Sequence, residues 1–452
     1  MKNLLRVCCF VCCACVLAAC SGKSLSPGGG GGSTSSADAP VRDIRVIPQD
    51  LTRFAKEAGA NTLLLSATEQ ALQDARFNRI VFGPWEMARP SIKKKDILSL
   101  FRSPRGYKMN GQRWTKPEWN AMLANADLTS YPNSGRKAIT TAHANLRELP
   151  SSDTRFSKPT PNVRENPFDN FQYSAMPQGT PLFVAHISRD GAWYYVETPI
   201  AGGWVRADEV GWVSDSFAAR YCGGSYVALL KEKVSLLSAG RAVGREHVGA
   251  FFPLARTAGT GFVALAPVRT ARGDAELAEV TLSAEQAARK PLPLTAANLA
   301  RVGNVMMGQP YGWGGMLEER DCSSTTRDLF TPFGLWLPRN SSAQARSGRR
   351  SPVLGLDRES KKATLLREGT PFMTLAWLPG HIALYVGKYR GQPVIFHNMW
   401  GIRVVENGDD DARHVVGRCA ITTLEPGKEL TNRYKDSLIL DRVGAFTTLG
   451  RD

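Results

Sequence analysis

The spacing of apolar residues changes several times along this chain, and each change marks a different kind of element. Val7 to Leu17 is a continuous apolar run, shorter than the roughly 20 residues a membrane-spanning helix needs. Leu51, Phe54, Ala55 and Ala58 recur at helical intervals behind Asp50, which sits where an N-cap is expected. Lys116-Pro117-Glu118-Trp119 opens another helix, with Pro117 in the first turn, where its missing N–H has no partner to lose. Residues 41–135 are therefore read as mainly helical.

From residue 136 the period shortens to that of strands. Ala138 to Thr141, Asn145 to Leu149, Pro181 to Ile187, Trp193 to Val196 and Gly211 to Val213 are short stretches of this kind, and Ser188-Arg189-Asp190-Gly191 marks a tight turn between two of them. Residues 218–288 keep the same glycine-punctuated texture, with Phe262 to Ala266 as one strand. Beyond 289 helix and strand mix. Asn298 to Met307 has helical spacing; Phe372 to Leu378, Gly380 to Val386 and Pro393 to Asn398 read as three successive strands. The fold class is α+β, in six segments: 1–19, 20–40, 41–135, 136–217, 218–288 and 289–452.

Composition adds a compartment. Lys2 and Arg6 precede the first apolar run, and Leu17-Ala18-Ala19-Cys20 follows it. Basic residues, a short apolar core and small residues before a cleavage point make a secretory signal over residues 1–19. A cysteine at the first mature position resembles the bacterial lipobox, so Cys20 is the expected lipidation site. Ser21 to Pro40, with five consecutive glycines from Gly28, is low-complexity linker. As a flexible coil of about 20 residues it would reach about 25 Å from the membrane. Ser21 after the lipidated cysteine points to the outer membrane in a Gram-negative cell.

The net charge of +16 suits any polyanion, but no groove-reading motif accompanies it, so nucleic acid is not an expected partner. Of nine cysteines, only Cys222, Cys322 and Cys419 lie beyond residue 20. Three widely spaced cysteines make neither a zinc site nor a disulfide framework, so no metal or other cofactor is expected. Cys222 and Cys419 are read as structural.

Cys322 has a chemical setting. Gly308-Gln309-Pro310-Tyr311-Gly312-Trp313-Gly314-Gly315 leads to Asp321-Cys322-Ser323-Ser324, which opens a helical stretch. The positive end of a helix and its unpaired N–H groups favour a thiolate. A thiolate nucleophile needs a base that can also protonate a leaving amine. Of six histidines, His381 and His397 fall on neighbouring strands downstream. If Val386 pairs with Gln392, His381 faces His397 directly across the ladder, and a one-residue slip would separate them. His414 and Asp409-Asp410-Asp411 are read as solvated loop.

These motifs together resemble the NlpC/P60 family of cell-wall cysteine peptidases over roughly residues 290–425, and Ser324 stands where that family usually has glycine. The segments at 136–217 and 218–288 resemble SH3-like (SH3b) modules. The resemblance implies a papain-like catalytic domain preceded by two small SH3-like barrels, with Cys322, His381 and His397 as the triad. It further implies hydrolysis of the γ-D-glutamyl–diamino acid bond of peptidoglycan stem peptides or murein fragments. Asp321 and Ser323 would bind a free L-Ala amine, Tyr311 and Trp313 would line the groove with Tyr311 near the oxyanion, and the Cys322 N–H would be a second oxyanion donor. Ser342, in Pro338-Arg339-Asn340-Ser341-Ser342, is a further binding candidate, and Tyr194 or Tyr195 would close one end of the cleft. The chain is expected to act as a monomer. Two other functions share these features: a wall-binding lipoprotein without activity, and another thiol amidase or acyltransferase on the same fold.

Overall fold

A computed structural model describes residues 40–160 and 166–450. The signal segment, Cys20 and nearly all of the linker lie outside the described residues. Residues 39–452 cluster as one compact unit. Among the described residues no helix is long and apolar enough to cross a membrane.

The helices expected between 41 and 135 form at the signals that predict them. Asp50 caps Leu51–Glu57 by accepting from the Thr52 N–H at 2.8 Å. Thr115 and Glu118 make a reciprocal capping box for Lys116–Ala126, with Pro117 in its first turn. This region does not build a core of its own. Leu51, Phe54 and Ala55 join the core of the C-terminal domain. Ile97, Trp119, Met122 and Ala126 instead pack with Phe171, Phe183, Tyr195 and Trp204 of the next module. Two unrelated cores thus share one helical segment, which ties the first module to the last.

The first β module is a seven-stranded antiparallel sheet in the order Gln172–Met176, Ala144–Arg147, Gly202–Arg206, Trp193–Glu197, Pro181–Ile187, Arg136–Thr140, Val210–Trp212. The second has a five-stranded sheet over residues 226–290 and a separate hairpin of Val234–Ser238 with Arg241–Glu246.

The C-terminal domain sets helices Ala296–Met306 and Cys322–Phe330 beside a six-stranded antiparallel sheet. Its strand order is Gly348–Pro352, Ala445–Leu449, Thr374–Leu378, His381–Tyr389, Gln392–Glu406, Asp409–Thr423. Leu329 and Phe330 of the Cys322 helix are buried with Ile382, Leu384 and Phe396 of the sheet, so the helix N-terminus is held against the strands that carry the two histidines. Two strands run further than their apolar stretches suggest, because Gln392–Glu406 and Asp409–Thr423 form one long hairpin. Asp409 to Asp411 and His414 are therefore strand positions rather than loop.

The hairpin register also differs from the expected one. Tyr389 pairs with Gln392 around Arg390-Gly391, and a bulge lies between Tyr385 and Gly387, so that Leu384 meets Phe396. Continuing that register sets His397 across from Ala383, with His381 a diagonal neighbour two residues away. The difference is even, so both histidines keep the same face, and long side chains bridge such diagonals.

Candidate active site

Three elements converge here: the glycine-rich turn, the N-terminus of Cys322–Phe330, and the histidine strands. Asp321 is the N-cap, accepting from the Ser324 N–H at 2.9 Å, while the Ser324 hydroxyl reaches back to the Asp321 N–H. Ser324, the departure from the family pattern, thus completes a capping box. Gly314 and Gly315 have φ of +63° and +84°. A Cβ on Gly315 would lie 2.8 Å from Ala175 N and closer still to the Ala175 side chain; one on Gly314 would lie 2.8 Å from the Gln172 carbonyl oxygen. The turn needs glycine both for its left-handed backbone and because the first β module presses directly against it.

Asp321 is buried and its carboxylate is filled. Arg339 reaches Oδ2 at 2.6 Å and Oδ1 at 3.2 Å, the Gly314 N–H donates to Oδ2 at 3.1 Å, and the Ser323 hydroxyl donates to Oδ1 at 3.1 Å. Arg339 also donates to Ser323 Oγ at 2.9 Å and to Ser174 Oγ of the first β module at 2.8 Å. Burial alone would raise Asp321, but Arg339 and the Ser324 bonds hold it down at about 2. Asp321 and Ser323 are therefore bonded into the frame that holds the helix end.

Cys322 is 7 % exposed. Burial and the neighbouring Asp321 carboxylate push its thiol up to about 12, against the hydrogen bond from the Ile382 N–H. The helix-end effect expected from sequence is outweighed by desolvation and by an adjacent negative charge. His381 moves the other way: burial and the Arg442 guanidinium push it down to about 4. Both shifts favour a resting pair of neutral thiol and neutral imidazole.

His381 Nε2 and His397 Nδ1 are 2.8 Å apart, and the rings meet edge to face at 5.1 Å. His397 is completely buried, and burial with the neighbouring His381 keeps it well below the ordinary histidine value. Its Nε2 lies 2.9 Å from Thr422 Oγ1, a partner that the sequence gives no local cue for.

Tyr311 is buried, and desolvation, with the Asp321 carboxylate nearby, holds its phenol well above the usual value. Trp313 is 37 % exposed. Both contact Phe168, with ring centroids 6.1 Å and 5.3 Å away, and Trp400 lies 6.1 Å from Tyr311 and 6.3 Å from Phe168. Phe168 comes from the first β module, so this aromatic cluster is built from two domains. Sequence reasoning missed Phe168 and Trp400; each is a lone aromatic whose neighbours are set by tertiary structure.

The remaining candidates fall elsewhere. Ser342 Oγ accepts from Arg346 on its own turn at 2.9 Å, and it is Gln344 that ties this segment to the Cys322 helix, through Thr326 Oγ1 at 2.7 Å and the Ser323 carbonyl at 2.8 Å. Tyr194 and Tyr195 close no cleft. Tyr194 is buried against Trp212 and Tyr195 against Trp204, inside the first module's packing. Cys222, Cys322 and Cys419 are all free thiols.

Comparison with known families matches residues 308–407 to the NlpC/P60 family, residues 9–131 to the N-terminal NLPC_P60 stabilising domain, and residues 154–206 to an SH3 domain of the SH3b1 type. No curated protein matches the chain. Among solved structures, an NlpC/P60 endopeptidase from Photobacterium damselae subsp. piscicida is similar at 24% identity and TM-score 0.78, covering 92% of this chain and 99% of that one. An NlpC/P60 family protein from Bacillus cereus is similar at 16% identity and TM-score 0.45, covering 68% of this chain and 98% of that one.

Proposed function

The chain carries an NlpC/P60 domain together with that family's N-terminal stabilising domain and an SH3 module, and from that premise we propose that it is a cysteine peptidase of the bacterial cell wall. Its bond is the γ-D-glutamyl–diamino acid link of peptidoglycan stem peptides or murein fragments, with Cys322 as nucleophile. The observation that carries this reading is the 2.8 Å contact between His381 and His397 on the strands packed against the helix that opens at Cys322.

The chemistry follows from the neutral resting pair. As Sγ attacks the scissile carbonyl carbon, its proton passes to His381 and the carbonyl oxygen takes up negative charge. The Cys322 N–H, unpaired within its helix, donates to that oxygen, with Tyr311 beside it. His381 then gives the proton to the leaving nitrogen as the C–N bond breaks, leaving a thioester. Water, deprotonated by the same imidazole, hydrolyses the thioester and returns the proton to sulfur. His397 orients His381 throughout.

The aromatic cluster of Phe168, Tyr311, Trp313 and Trp400 beside the site offers apolar surface against which a single peptide end could pack, which supports a stem with a free N-terminal L-Ala. The saturation of Asp321 argues that this end is read by shape rather than by a carboxylate. In the same proposal the protein works as a monomer at the cell envelope, held by lipid on Cys20 and, in a Gram-negative cell, at the outer membrane. A panel of L-Ala-γ-D-Glu-diamino acid tripeptides, free and N-acetylated, tests the specificity. Preferential cleavage of the free tripeptide supports the reading; equal rates remove the free-amine requirement; cleavage of neither refutes the proposed bond.

A further inference from the structure

His381 can act as a base only if the nitrogen not bonded to His397 is unprotonated. A neutral imidazole carries one N–H and one bare nitrogen, so the chain of contacts behind His381 decides which is which. His381 Nε2 lies 2.8 Å from His397 Nδ1, and His397 Nε2 lies 2.9 Å from Thr422 Oγ1. The Thr422 hydroxyl in turn donates to the Thr423 carbonyl oxygen at 2.7 Å. A hydroxyl has a single proton, and this one is committed.

The rest follows by counting protons. Thr422 Oγ1 can only accept from His397, so His397 Nε2 carries the hydrogen and its Nδ1 is bare. Bare Nδ1 must accept from His381, so His381 Nε2 carries the hydrogen. His381 Nδ1 is then left as the free acceptor. Were Thr422 to donate to His397 instead, every proton in the chain would reverse, and His381 would present an N–H where a base is needed.

We propose that Thr422 is a positioning residue that sets the tautomer of His381 through His397. The inference rests on the peptidase reading above. Thr422 is completely buried, and the strand is fixed on both sides of it by Asp43 and Gln49 of the N-terminal helical region. Gln49 pairs with both the N–H and the carbonyl of Ile421, at 2.8 Å and 2.9 Å. Asp43 Oδ2 accepts from the Thr423 N–H at 2.8 Å and from the Thr423 hydroxyl at 2.7 Å. These side chains fill the edge of the last strand as a neighbouring strand would, and they hold the Thr423 peptide that receives the deciding proton.

The test combines side-chain ¹⁵N NMR of the histidines with kinetics on the full chain. In the wild type at pH 7, the His381 signal, assigned by its loss in His381→Gln, is expected as the Nε2–H tautomer. Thr422→Val removes the hydroxyl at nearly constant shape. It is expected to shift His381 towards Nδ1–H and to lower kcat at least about 100-fold, with KM within about twofold, as for other bases held in the wrong tautomer. Thr422→Ser is expected to keep both the signal and the rate. A wild-type His381 found as Nδ1–H overturns the proposal. So does a Thr422→Val rate within threefold of wild type, or a Thr422→Ser loss as deep as that of Thr422→Val. If Thr422→Val does not fold, the wild-type tautomer and Thr422→Ser decide. The NMR readout needs no substrate, so it separates this proposal from the peptidase reading, whose own failure would be hydrolysis surviving in Cys322→Ala.

Discussion

Replacing Arg339 with methionine removes the guanidinium bonded to the Asp321 carboxylate while keeping most of the side-chain volume. Asp321 is held at about 2 with Arg339 in place. A return merely to the ordinary value of 3.8 would cost about 2 kcal/mol at ~1.4 kcal/mol per unit. Asp321 is also buried, so a carboxylate stripped of its cation goes further, and the general cost of orphaning one partner of a buried pair is about 3–5 kcal/mol. We therefore expect Arg339→Met to lose about 3–5 kcal/mol in urea unfolding at pH 7. Asp321→Asn keeps the N-cap, since asparagine caps as well as aspartate, but leaves Arg339 without its anion. The double variant Arg339→Met/Asp321→Asn removes both charges, and its loss should fall short of the sum of the single losses by about 2 kcal/mol or more. A single-variant loss under about 1 kcal/mol, or additivity within about 0.5 kcal/mol, would refute the claim that this ion pair holds the Cys322 helix to the first β module.

Two further outcomes follow from the same geometry. Gly315→Ala combines a φ of +84° with a clash against Ala175, whereas Gly355→Ala has a similar φ of +87° in open space. Thermal unfolding should show Gly315→Ala as the more damaging by at least about 1 kcal/mol; equal effects would mean that module docking does not constrain the turn. Because burial and Asp321 push the Cys322 thiol up to about 12, its thiolate is scarce at pH 7 and grows as pH rises through the alkaline range. Iodoacetamide labelling of Cys322, followed by mass spectrometry of its peptide, should climb about tenfold per unit between pH 7 and 10. A plateau already reached below pH 7 would indicate a preformed thiolate–imidazolium pair instead.

The parts of the site that sequence made legible are those encoded in local runs. The glycine-rich turn, Asp321 as cap and Cys322 at the first helical position lie within fifteen residues of one another, and backbone rules alone place them. The two histidines could be assigned to one sheet face because strand parity survives an even change of register. Their exact facing could not, since the bulge between Tyr385 and Gly387 has no signature that separates it from an ordinary strand glycine. What stayed hidden depends on separation in sequence. Arg339 meets Ser174 across 165 positions, and Gln49 meets Ile421 across 372. A buried acid needs a cation, but the chain offers 57 lysines and arginines, and charge alone does not choose among them. The helical region shows the same limit. Its periodicity predicts helices but not that Phe54 and Trp119 are buried in two different cores.

Whether Cys322 cleaves stem peptides is read from the release of L-Ala-γ-D-Glu from a stem tripeptide by the full chain and by Cys322→Ala. Wild-type protein is predicted to release the dipeptide and Cys322→Ala to release none, with both folded to the same extent by circular dichroism. Release by Cys322→Ala at the wild-type rate would contradict the account.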